Sequence, residues 1–113
     1  MGEERVLDFE ILEEVMEDLE EEFTDYLDCF FSEAEVWVKR IQTAIDSADA
    51  SSLYETAHAL KSSSGYLGAL ALQESATLLE AEGRSGSTNA AALSQRAIDQ
   101  LIALKAALAS YRA

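Results

Sequence analysis

The 113-residue sequence contains no proline, five glycines and one cysteine. Without proline, and with abundant Ala, Leu and Glu, nothing in the composition opposes long helices, while the turn residues that a sandwich or barrel needs are scarce. An all-α fold in a single domain, residues 1–113, is the expectation. One cysteine, Cys29, excludes an internal disulfide and a cysteine-ligated metal site, and reads as a small packing residue. No apolar run reaches the length of a membrane span and no signal-peptide pattern is present, so the reducing cytosol is the expected compartment. Positive charge is scarce as well: eight Lys and Arg face 22 Asp and Glu, for a net charge of -14. An acidic surface lacks the clustered cations that nucleic acid and anionic lipid require, so neither is an expected partner. The excess lies in residues 1–35, where fifteen acids face Arg5 alone; the remaining seven acids and seven bases cancel. Such a run reads either as a solvated helix face or as a surface for a basic partner.

Hydrophobic periodicity divides the chain into helices. Asp8 is a candidate N-cap for a short first helix with Leu12, Val15, Met16 and Leu19 at helical spacing. Its end is not marked, because residues 20–22 hold no Gly, Pro or Asn. From Phe23 a long second helix carries Leu27, Phe30, Ala34, Trp37, Ile41 and Ala44 in steps of three and four. Phe31 and Val38 lie beside that stripe, where they widen the core or extend a docking surface. After a polar break, Ser52 and Glu55 have the capping-box spacing for a third helix with the stripe Leu53, Ala57, Leu60, Ser64 and Leu67, ended by Gly68. Leu72, Ala76 and Leu79 mark a fourth helix closed by a loop over 83–86. Thr88 or Asn89 would cap a fifth, with Ala97, Leu101, Leu104, Leu108 and Tyr111 in its stripe. The architecture predicted is an antiparallel four-helix bundle with a short additional N-terminal helix over one end.

Chemistry is concentrated at His58, the sole histidine. At helical spacing it lies about 140° around from the Leu53 and Leu60 stripe, which excludes a core histidine. Lys61, Ser62 and Gly65, at i+3, i+4 and i+7, share its exposed side. Neutral imidazole is a good nucleophile near neutral pH, and Lys61 offsets the charge of a phosphoryl group placed on it. Gly65 weakens a helix but admits close approach of a partner's backbone, with its missing side chain expected to face solvent. Between Thr56 and Gln73 there is no carboxylate, so Lys61 is the only formal charge expected around His58 in that stretch. Tyr54, one turn before His58, and Phe31 complete the candidate docking residues.

The segment Thr56-Ala-His58-Ala-Leu-Lys61-Ser-Ser-Ser-Gly65-Tyr-Leu-Gly68-Ala resembles the signature of histidine-containing phosphotransfer (HPt) domains of bacterial multistep phosphorelays. Leu79-Glu80 followed by Arg84-Ser85-Gly86 resembles the family's next helix and loop, and Phe30 with Ala44 its preceding long helix, so the likeness spans roughly residues 23–110. Ser62 departs from the glycine often found there, but serine is small and can donate to a phosphoryl oxygen. The resemblance implies that His58 is the phosphorylated residue, that Lys61 stabilises the phosphoryl group, and that Gly65 leaves room for the receiver domain of a response regulator or hybrid histidine kinase. The chain would act as a monomeric carrier and not an enzyme. It holds no cofactor: there is no Gly-rich phosphate loop for ATP, and Mg²⁺ is expected on the partner receiver. The competing reading is an acidic helical adaptor for a basic protein, with His58 incidental. A start methionine and short polar lead fit a free-standing protein.

Overall fold

Asp8 caps the first helix as expected: its carboxylate accepts the backbone N–H groups of Glu10 and Ile11, a contribution of about 1 kcal/mol. In the computed structural model, which describes residues 6–111, this helix, α1, spans Phe9–Leu19. It is followed by α2 (Phe23–Asp46), α3 (Ala50–Leu67), α4 (Leu70–Arg84) and α5 (Ala91–Leu108), with single 3-10 turns at Glu20–Glu22 and Ala109–Tyr111. The unmarked end of α1 lies at Glu20, whose φ of 50° breaks the helix without a glycine. That conformation costs a residue with a side chain on the order of 1–2 kcal/mol.

The long helices form a closed ring in which α2 packs on α3, α3 on α4, α4 on α5, and α5 on α2. Short connections make neighbours antiparallel. The predicted stripes meet in one core that includes Leu27, Phe30 and Ile41 of α2, Leu53 and Leu60 of α3, Leu72 and Leu79 of α4, and Leu101 and Leu104 of α5. Trp37 and Tyr111 are half-buried against it, whereas Phe31 and Val38 are buried within it. Leu12 and Val15 of α1 join the same core. The Asp8 N–H donates to the Gly68 carbonyl at 2.8 Å, tying the N-terminal segment to the end of α3. Gly68 ends α3 at φ 84°. A Cβ there would press on the Asp8 carbonyl and the Ile11 side chain, so both conformation and space favour glycine.

The structure corrects three boundary expectations and one burial. Helix α3 begins at Ala50, with Asp49 and not Ser52 at its cap; the Asp49 carboxylate accepts the Ser52 N–H. Helix α4 continues through Gly83 to Arg84, because Gly83 is buried against α3 and not in a loop. Ala90 stands at the start of α5 without a side-chain cap, while the Asn89 N–H bonds the Ser87 hydroxyl and the Ala90 N–H bonds the Thr88 carbonyl. Cys29 is exposed and therefore not a packing residue.

Candidate functional site

Helix α3 presents His58 as the spacing requires, with its side chain 55% exposed. Lys61 follows one turn later and Ser62 beside it is exposed. What the local sequence did not reveal is the residue between them. Glu80 projects from α4, its side chain only 3% exposed; one oxygen accepts from Lys61 Nζ at 2.7 Å and the other lies 2.6 Å from His58 Nδ1. Lys61 is the only formal charge within the stretch 56–73, but it is not the only one at His58: a carboxylate arrives from the neighbouring helix. Lys61 is correspondingly more than a solvated lysine, since its amine is already committed to a buried anion. A sequence signal for Glu80 does exist, because it stands four residues after Ala76 and next to Leu79, in the buried half of α4.

The Lys61 hydrogen bond, and after it that of His58, holds the Glu80 carboxyl below the usual carboxylate range against the opposing effect of burial. Glu80 is therefore an anion at neutral pH, and an ionised carboxylate only accepts hydrogen bonds. His58 Nδ1 must carry the proton. In the neutral ring the lone pair then sits on Nε2, the nitrogen that faces away from Glu80. A buried anion has thus set the tautomer of an exposed imidazole.

Two further side chains frame the ring. Tyr54 stacks on His58 with centroids 6.2 Å apart and planes 24° from parallel. The Arg84 guanidinium lies 5.5 Å from the centre of the Tyr54 ring and 3.7 Å from Glu80. These contacts depend on close helix approach. At Gly83 a Cβ would come within 2.6 Å of the Tyr54 backbone nitrogen and 2.9 Å of the Ala50 carbonyl, so only glycine lets α4 lie this close to α3.

The remaining candidates divide. Tyr54 belongs to the site. Ser62 borders a cleft of about 240 Å³ between α2 and α3, lined also by Tyr26, Cys29, Phe30 and Tyr66. Tyr66 is exposed there and meets Tyr26 edge-on. Burial of the Tyr26 phenol, with the adjacent Tyr66, pushes its pKa up to about 12. Phe31 is not part of an open docking surface: it is 4% exposed, for the physical reason that its side of α2 faces the core. Gly65 does not face open solvent either. An added Cβ would meet the Gln73 carboxamide reaching across from α4, the far end of a flexible side chain that can shift to admit it.

A family model for the Hpt domain matches residues 25–113. The chain belongs to the Hpt domain family. A search of curated proteins finds no match. Among solved structures, it is similar to histidine-containing phosphotransfer protein B (HptB) from Pseudomonas aeruginosa PAO1, at 27% identity and a TM-score of 0.91, over 97% of this chain and 96% of that one. The function of this Hpt domain is histidine phosphotransfer in a phosphorelay, where such proteins are carriers rather than kinases and interact with receiver domains. No described helix is long and apolar enough to cross a membrane.

Proposed function

We propose that His58 receives and returns the phosphoryl group through Nε2. The observation that carries this reading is the Glu80 hydrogen bond to Nδ1, which leaves Nε2 with the lone pair on an exposed ring. In the forward step that lone pair forms the P–N bond to the phosphorus of a receiver's aspartyl phosphate. The P–O bond to the aspartate breaks and the carboxylate departs with its electron pair. The proton remains on Nδ1, so the phosphorylated ring is an imidazolium whose charge faces Glu80. Lys61 stabilises the phosphoryl oxygens, and the reverse step returns the group to a second receiver.

The partners are the receiver domains of a hybrid histidine kinase and of a response regulator. Tyr54, Ser62 and the cleft beside it form the docking surface, and Gly65 keeps the space next to Gln73 unobstructed. Mg²⁺ enters with the receiver. The chain acts as a single, monomeric domain in the cytoplasm without an ATP site of its own. Mixing it with a labelled, phosphorylated receiver should move label to this chain; His58→Gln should abolish transfer while leaving the helical circular dichroism intact. Label acquired from ATP with no kinase present would contradict the carrier reading.

A further inference from the structure

The seam between α3 and α4 that orients His58 carries a second polar side chain, whose hydrogen-bonding groups are unused. Gln73 stands seven residues before Glu80, two turns earlier on the same face of α4, and its carboxamide reaches α3 where Gly65 has no side chain. Its backbone is engaged, the N–H with the Ala69 carbonyl and the carbonyl with the Thr77 hydroxyl. Among the described residues none hydrogen-bonds the carboxamide, which holds two N–H donors and an acceptor oxygen. Gln73 is half-buried, so in the free protein water completes it.

Gly65 lies two turns from His58 in the same row, about 10 Å along α3. A docked domain with a footprint of about 800 Å², roughly 16 Å in radius when centred on His58, covers Gly65 and with it the Gln73 carboxamide. Water is then expelled, and an enclosed amide without a partner weakens the complex. Building on the proposed docking of a receiver at His58, we infer that Gln73 is a specificity-determining residue: its carboxamide pairs with one extended residue of the receiver backbone. The NH₂ group donates to that residue's carbonyl and the oxygen accepts its N–H, two groups that point the same way in an extended chain. A receiver that presents an apolar or a singly charged side chain at this place satisfies at most one of the two and is disfavoured. At this distance from the ring Gln73 selects the partner and takes no part in the transfer step.

The test compares variants of the intact protein, using as donor a receiver domain that acetyl phosphate has phosphorylated and that passes label to the parent. Gln73→Ala should raise KM for that receiver about fivefold with kcat unchanged, the mark of lost binding that is equal in ground and transition states. Gln73→Met, which keeps the cover over Gly65 but has neither a donor nor a strong acceptor, should raise it at least as much. Labelling of His58 by phosphoramidate, a small donor that needs no receiver, should proceed at the parent rate in both. A parent-like KM in Gln73→Ala overturns the inference, as does its recovery in Gln73→Met, since packing alone would then suffice. A slowed phosphoramidate reaction overturns it as well, by placing the effect at His58 itself. Failure of the underlying receiver reading is distinguishable: phosphoramidate would label the parent while no receiver passed label to it, and the inference would fall with that reading.

Discussion

Helix α4 carries polar side chains into two seams, and they end differently. Against α5, the buried Ser75 hydroxyl donates to the Gln100 carbonyl oxygen, and both residues are enclosed. Against α3, buried Glu80 bonds His58 and Lys61, whose outer ends remain partly exposed. Both seams contain a polar group that would be costly if left unpaired. In the first the hydrogen bond joins two enclosed side chains and serves packing. In the second the buried acceptor orients groups that reach solvent, and one ring nitrogen is left available for chemistry. The contrast separates a buried polar contact that specifies a fold from one that prepares a site.

The largest effect that would break this contrast is expected at Gly83, which sets the α3 to α4 spacing. Gly83→Ala introduces a Cβ against backbone, and overpacking of this kind costs roughly 1–3 kcal/mol. Because Glu80 and Arg84 ride on the same helix, phosphotransfer per folded molecule should fall together with the urea midpoint. Unchanged transfer in a destabilised protein would mean that the site does not depend on this spacing. Ser75→Ala sharpens the comparison from the other seam. It removes the Ser75 donor from Gln100 and should cost about 1–2 kcal/mol while the transfer rate of the folded protein stays at the parent value. A slowed rate would place the α4 to α5 seam in the function.

Acid titration should show a smaller effect confined to the first seam. The Glu80 carboxyl is held below its unfolded value of about 4.3, so its contribution to stability is complete above that pH and is lost as pH falls through the lower folded value. Urea midpoints measured from pH 6 downward should therefore decline less steeply below about pH 4 in Glu80→Gln than in the parent. Parallel curves would show that Glu80 does not contribute to the acid limb.

The same contrast explains what could be read from the sequence. His58, Lys61 and Ser62 were legible because their relation is internal to one helix, where spacing alone determines the shared face. Glu80 lies 22 residues from His58 and joins it only through the packing of α4, which periodicity cannot register. Gly83 was placed in a loop and the space at Gly65 in open solvent for a related reason: what the missing Cβ would meet belongs to another helix, the Tyr54 and Ala50 backbone for Gly83 and the movable end of the Gln73 side chain for Gly65. Asp49 and Ser52 are both good capping residues, and the local pattern alone did not decide between them. The stripes of α2 to α5 were clear because each buries a continuous apolar row in the core.

The central claim is that Glu80 holds the proton on Nδ1 and thereby assigns the phosphoryl group to Nε2 of His58. Nitrogen NMR of the histidine ring, recorded before phosphorylation and again with a phosphorylated receiver as donor, addresses it directly. The expected result is a protonated Nδ1 in the neutral ring, followed by phosphorus coupling to Nε2. Phosphorus coupled to Nδ1, or a neutral ring protonated on Nε2, would contradict the account.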